Sequence, residues 1–214
     1  MRVRAFGARN HVEAGLKTRL YQMTSNDRLA VCIRSAVSPY RPPRLAGFPY
    51  VGAYQYFVTC CTNRRREFFR ADDEARWLIA QILQRFESRQ FAVIAYCVMP
   101  DHVHLLLEGL TAHADFKAAM HSWKLTTGFA WKKRTGERLW QEGFYEHTLR
   151  TDDAVPNVVR YILENPARAG LVSEGDCYPH MGSSRYSLSQ LVDTVVDCDR
   201  RVEAGLVESG RGGS

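Results

Sequence analysis

A nine-residue apolar run from Phe91 to Met99, a Pro100-Asp101 turn and a second apolar run from His102 to Glu108 constrain this chain more than any other feature. The first run suits a buried strand, and the turn sends the chain straight back as a second one. Patterned segments flank this pair. Tyr54 to Cys60 is aromatic and β-branched and reads as a strand. Asp72 to Arg89 carries Trp77, Leu78, Ile82, Leu83 and Phe86 at helical spacing behind an acidic first turn. A second helix is expected from Ala114 to Arg134, with Phe116, Met120, Trp123, Leu125 and Phe129 on its buried side, and a fourth strand from Phe144 to Arg150. Thr151 or Asp152 can cap a further helix running to Asn165, because Pro156 falls near its first turn, where a missing N–H costs little. The order β-α-β-β-α-β followed by a helix is a split-βαβ, ferredoxin-like α+β pattern: an antiparallel sheet with helices mainly on one face, plus a C-terminal helix.

The ends are less patterned. Residues 1–39 read as a basic N-terminal extension with weak periodicity, set off by the Pro-rich stretch Pro39 to Pro43 and composed so that it could stay disordered. Residues 40–190 form the patterned domain, and 191–214 a C-terminal segment with a flexible Gly/Ser tail. The first fifty residues hold nine Lys/Arg against Glu13 and Asp27, so of the net charge of +6 a surplus of seven sits there and the remainder is slightly acidic. Global basicity is therefore weak evidence for nucleic acid, and local patches carry more weight: Arg64, Arg65 and Arg66 in one place, and Lys117, Lys124, Lys132, Lys133, Arg134 and Arg138 in another. Either could equally be a solvated face. The six cysteines lack CxxC spacing and read as reduced thiols. With no run of roughly 18 apolar residues and no secretory-type apolar core, a cytoplasmic protein without a membrane partner is expected.

Two short elements carry chemistry. In His102-Val103-His104, strand alternation sends both imidazoles to one face, where they can converge on one ion, although such a pair can also be two ordinary histidines by a turn. A di-zinc hydrolase would need an Asp-His pair after His104, and a barrel amidohydrolase about 250 residues of repeated βα units; neither is present. Tyr161 and Asn165, four residues apart, share one face of a helix, with Pro166 expected to end the helix at Asn165. Read structurally, they are a core tyrosine and an Asn-Pro helix stop.

Taken together, Tyr96 to Leu106 (YCVMPDHVHLL) and Tyr161 to Val172 (YILENPARAGLV) resemble the signatures of the REP-associated tyrosine transposases, relatives of small insertion-sequence transposases in the HUH endonuclease superfamily. Gly47 to Gly52, Phe57 to Thr59, Arg64 to Phe69 and Leu139 to His147 fit the same family, and the resemblance covers about residues 40 to 190. It implies that His102 and His104 ligate Mg²⁺ or Mn²⁺ with Asn165 as third ligand. It also implies that Tyr161 attacks a DNA phosphate to form a 5′-phosphotyrosine bond, at repeat hairpins of the REP type. Single-stranded or hairpin DNA is then the partner, bound by a monomer or homodimer associated with the bacterial nucleoid. Arg64, Arg65, Lys124, Lys132, Lys133 and Arg134 are the candidate DNA contacts, while Trp123, Trp131, Trp140, Phe144 and Tyr145 could stack bases but suit the core as well. Glu108 and His147 have no assigned role. The alternative is a catalytically silent DNA-binding or regulatory protein on the same fold. One departure stands out: Met181 to Tyr186 keeps the serines and tyrosine of a Trp-Ser-Ser-Tyr-like segment but not its tryptophan.

Overall fold

A computed structural model describes residues 47–149, 154–173 and 176–209. The basic extension, the expected cap at Thr151 or Asp152 and the final tail lie outside these residues. The elements follow in the order β1 (Gln55–Cys61), α1 (Asp72–Glu87), β2 (Phe91–Met99), β3 (His102–Gly109), α2 (Phe116–Thr135), β4 (Tyr145–Leu149), α3 (Ala154–Arg168), β5 (Met181–Gly182) and α4 (Leu188–Ser209). The five strands form one antiparallel sheet in the order β4-β1-β3-β2-β5, with β1 and β3 at its centre as the split-βαβ pattern requires. No helix among the described residues is long and apolar enough to cross a membrane.

Strand parity decides what lies on each face. Val103, Leu105 and Leu107 of β3 join Tyr56, Val58 and Cys60 of β1 in a core closed by Leu78, Ile82 and Phe86 of α1 and by Phe116, Met120 and Trp123 of α2. Leu106 and Phe57 point the other way, into a second core completed by Val158, Val159 and Ile162 of α3 and Leu191, Val192 and Val195 of α4. His102 and His104 share parity with Leu106, so they open onto the face that α3 covers. A bulge between Val93 and Ala95 switches the parity of β2, bringing Cys97 and Met99 onto that face opposite His104 and His102.

Three features differ from expectation. Leu125 and Phe129 are 61% and 71% exposed; the buried stripe of α2 runs through Phe116, Met120, Trp123, Thr127 and Trp131, and residues two and six beyond Trp123 fall on the opposite side of a 3.6-residue turn. Pro166 sits inside α3, which continues to Arg168. In the last turn the proline removes a single internal bond, and the helix closes instead through Ala169 N donating to Asn165 O and Leu171 N to Pro166 O, with Gly170 at φ +69° just past its end. Lastly, α4 runs across residues 190 and 191 and docks on α3 through buried apolar residues and an Arg160–Asp199 ion pair.

The tryptophan-less segment has a clear job here. Met181 and Gly182 pair with Cys97 and Tyr96 along the outer edge of β2, and Ser184 N donates to Val93 O (2.8 Å) while Val93 N donates to Ser184 Oγ (3.0 Å), closing that edge at its bulge. Tight packing elsewhere fixes Gly109, where an added Cβ would lie 2.2 Å from Gly52 O. Gly109→Ala is expected to cost at least about 2–3 kcal/mol through backbone displacement, read as a lowered midpoint of denaturant unfolding; an unchanged midpoint would contradict this packing.

Candidate functional site

Pairing register places the side chains around the two histidines. Thr59 of β1 and Cys97 of β2 flank His104, and Cys61 and Met99 flank His102, all on the α3 face. The imidazole Nε2 atoms of His102 and His104 approach to 3.0 Å, and the Asn165 side-chain amide lies 2.9 Å from His104 Nε2. Each Nδ1 is engaged on the far side of its ring: His102 with Asp101 Oδ1 at 2.6 Å, and His104 with Thr59 Oγ1 at 2.9 Å. Asp101 is itself clamped by Arg65, whose Nε lies 2.8 Å from Oδ2 while Nη1 donates to Cys61 Sγ (3.0 Å).

These bonds orient the rings. A carboxylate only accepts, so Nδ1 of His102 donates to Asp101, which leaves Nε2 as the atom turned toward His104. Where the Asn165 amide donates to His104 Nε2, that nitrogen is an acceptor, and Nδ1–H of His104 is directed to Thr59. The two Nε2 atoms face each other at 3.0 Å, a spacing that a shared proton or a bound cation satisfies. Burial is the main influence holding His104 well below its ordinary pKa, with His102 and Arg65 adding to it, so a proton on His104 is disfavoured. Burial also pushes the Asp101 carboxyl upward, but the His102 hydrogen bond and the Arg65 charge outweigh it and hold the group below the usual carboxylate range.

The donors suit a metal ion. Two ligands about 2.1 Å from one ion at right angles stand roughly 3 Å apart, the spacing of the two Nε2 atoms. Among the described residues no cluster of three or more His, Cys, Asp or Glu side chains is placed to hold a metal, so a third protein ligand would have to be of another kind. Asn165 fits: turning its amide by half a rotation presents Oδ1, a hard oxygen donor, at the same position.

Tyr161 stands one helical turn before Asn165 and meets the ring of His104 edge-on at 5.2 Å and that of Phe57 at 5.8 Å. Burial raises its phenol above the ordinary value; a hydrogen bond with Asn165 and the Arg168 guanidinium, 5.7 Å from the ring centroid, pull in the opposite direction. The structure thus brings His102, His104, Tyr161 and Asn165 together. Thr59, Asp101 and Arg168 are additions that motif reading passes over, although Asp101 directly precedes His102.

The candidate cations divide. Arg65 reaches the site through Asp101, and exposed Arg64 sits beside it in a left-handed turn (φ 57°). Lys124, Lys132, Lys133 and Arg134 belong to α2, across the sheet from α3. There Lys124 donates to Gln141 O (3.0 Å) and Gly143 O, and Arg134 pairs with Glu74 while covering Trp77 and Trp131. Trp123, Trp131 and Trp140 are buried core residues. Phe144 is half-buried against that core, and Tyr145 packs beside Phe57 on the site face. Glu108 accepts from Gln55 at the far end of β3, and exposed His147 lies opposite Phe57 in register.

Comparison with known proteins bears on family and fold. The sequence profile of a family described as IS200-like transposase matches residues 50–165, a stretch containing both histidines, Tyr161 and Asn165. A putative REP-associated tyrosine transposase of Haemophilus influenzae is 28% identical over 145 residues, covering 61% of this chain and 80% of that protein. The REP-associated tyrosine transposase of Escherichia coli K12 is 25% identical over 128 residues, covering 60% and 74%. Among solved structures, a REP-associated tyrosine transposase bound to a REP hairpin superposes with a TM-score of 0.52 at 26% identity, over 68% of this chain and 82% of the other.

Proposed function

The chain belongs to the IS200-like transposase family, and from that premise we propose that it is a metal-dependent endonuclease that cuts and rejoins single-stranded DNA through Tyr161, at hairpins of the REP type. The observation that carries this reading is the convergence of the His102 and His104 Nε2 atoms and the Asn165 amide within about 3 Å, beside the tyrosine carried on the same helix as Asn165. The hairpin substrate rests on the relatives: the matched solved structure is a complex with a REP hairpin.

In this reading the Tyr161 hydroxyl oxygen bonds to the scissile phosphorus, the bond from phosphorus to the 3′-oxygen breaks, and the phenol proton leaves as the departing 3′-oxygen gains one. One phosphodiester replaces another, so the released 3′-hydroxyl can reverse the step and rejoin strands. A phenol with a pKa of about 10 is a weak nucleophile at neutral pH and depends on placement and local charge. Tyr161 and Asn165, one turn apart, move as a unit, so the helix that aims the nucleophile also brings the third ligand. His102, His104 and Asn165 would hold Mg²⁺ or Mn²⁺, which when bound supplies Lewis-acid stabilisation of the charge developing on the phosphate. Asp101 and Thr59 keep both imidazoles in the tautomer that presents Nε2, the His102 hydrogen bond and the Arg65 charge keep Asp101 ionised, and Phe57 shields the buried side of the site.

The test is incubation of hairpin oligonucleotides, labelled on either side of the cut, with Mn²⁺ or EDTA. The expected product is a denaturant-resistant adduct that needs the metal and retains the label 3′ of the cut. Retention of the label on the 5′ side, or no adduct despite tight binding, would overturn the reading and favour a DNA-binding role without catalysis.

Asp101→Asn tests the support of the metal site. Its oxygen can still accept from His102, but the charge that strengthens this bond and pairs with Arg65 is gone. Mn²⁺ affinity is expected to fall about 10–100-fold by titration calorimetry; unchanged affinity would mean that Asp101 merely closes a turn.

A further inference from the structure

Across the sheet from Tyr161, α2 and the loop from Leu139 to Phe144 enclose a groove of about 800 Å³. Phe129 and Leu125, the two most exposed large apolar side chains among the described residues, stand in it at 71% and 61% exposure. Lys117, Lys124, Lys132 and Arg138 surround them, and Glu142 is the lone carboxylate of the lining. Gly128 occupies the middle of the groove-facing helix, where glycine is the least favourable residue after proline. A Cβ there would meet only Trp140 Cδ1, at 3.7 Å, so no steric conflict demands the glycine; its effect is to deepen the groove beside Phe129.

The groove is tied to the histidine site. Gln141 N donates to Cys61 O (2.9 Å) and Asn63 N to Leu139 O (2.7 Å), so one groove wall is fastened to the end of β1 at Cys61, whose register partner is His102. The connecting turn carries Arg64 and Arg65. The groove wall and the strand beside the histidines thus share the Cys61 end of β1, and the Arg64–Arg65 turn follows directly in the chain.

We propose that this groove holds unpaired DNA adjoining the cleavage position, with bases laid on Phe129 and Leu125 and phosphates tracked by Lys117, Lys132 and Arg138. An aromatic platform ringed by cations is the chemistry that single strands require. A second copy of the chain fits less well, because a two-fold contact through this patch would set like charges against each other. The identity of the ligand rests on the nuclease reading given above.

The test uses the Tyr161→Phe protein, which binds without cutting, and fluorescence anisotropy of an unstructured, mixed-sequence single-stranded DNA oligonucleotide at several salt concentrations. Phe129→Ala should weaken binding at least about fivefold with the salt dependence unchanged, since it removes stacking and no charge. Lys132→Ala should lower the slope of log affinity against log salt by about 0.7, one phosphate contact on a single strand. Gly128→Leu should weaken binding by filling the groove; as Phe129 is exposed, its alanine variant should melt with the parent and serves as the folding-neutral arm. Binding within twofold of the parent for all three variants overturns the proposal. So does a change in sedimentation of the DNA-free protein with affinity unaltered, which would make the groove a contact between copies. Adduct formation by Tyr161-containing protein separates the two readings: an adduct with groove-insensitive binding sinks the groove alone, whereas groove-sensitive binding without any adduct sinks the nuclease reading alone.

Discussion

Tyr161→Phe should leave a protein that folds and binds DNA like the parent yet forms no covalent adduct and cuts no strand. The substitution removes one oxygen. The ring keeps its edge contacts with His104 and Phe57, and the lost hydrogen bond to Asn165 costs about 1 kcal/mol, small against the stability of a domain. The catalytic loss is of another order, because a nucleophile working as a unit with its neighbours is worth on the order of 10⁴–10⁶ in rate. Denaturing gels of labelled hairpin with Mn²⁺ read the difference directly. Cleavage above about one per cent of the parental rate, far above that expectation, would place the nucleophile elsewhere. Tyr145, packed beside Phe57 on the same face, would then be the group to replace.

His104→Ala is the second large effect. Removing a ring that is 2% exposed and bonded through both nitrogens should abolish Mn²⁺ binding and lower cleavage at least about 10³-fold, while the cavity and the unsatisfied Thr59 and Asn165 groups cost about 2–3 kcal/mol of stability. His102, with 12% of its side chain exposed, separates the two consequences. His102→Ala should lose the metal just as fully with a smaller fall in melting temperature, and metal titration beside thermal unfolding of both variants checks it. Cleavage near the parental rate in either would contradict a shared ion. The lowered His104 pKa adds a pH dependence: below about 6.5 an unfolded histidine takes up a proton that the buried ring resists, so this residue's contribution makes the fold less stable as pH falls from there toward the folded value.

The legible parts of this molecule were those fixed by short-range periodicity. A two-residue turn between apolar runs put β2 and β3 side by side, alternation put His102 and His104 on one face, and an i, i+4 spacing put Tyr161 with Asn165. What escaped depends on distant partners. Thr59 reaches His104 only because β1 pairs with β3 in one register, and neither strand encodes that register alone. Asp101 reads as a turn residue until the turn aims its carboxylate back at His102. Leu125 and Phe129 imitate a buried stripe because apolar residues at helical spacing serve a groove as readily as a core. The helix α4 becomes predictable only once α3 offers an apolar face and Arg160 a buried charge for Asp199 to meet. Pro166 reads as a stop in the sequence, but a proline in the last turn leaves the helix little to lose, and α3 runs on to Arg168.

The central claim is that Tyr161 itself becomes joined to DNA, and peptide mapping of the adduct tests it most directly. After reaction with a hairpin oligonucleotide and Mn²⁺, nuclease trimming and tryptic digestion, the peptide from Tyr161 to Arg168 should appear by mass spectrometry carrying a nucleotide linked through its 5′-phosphate. Finding that peptide unmodified, with the nucleotide on another tyrosine or on a serine, would contradict the account.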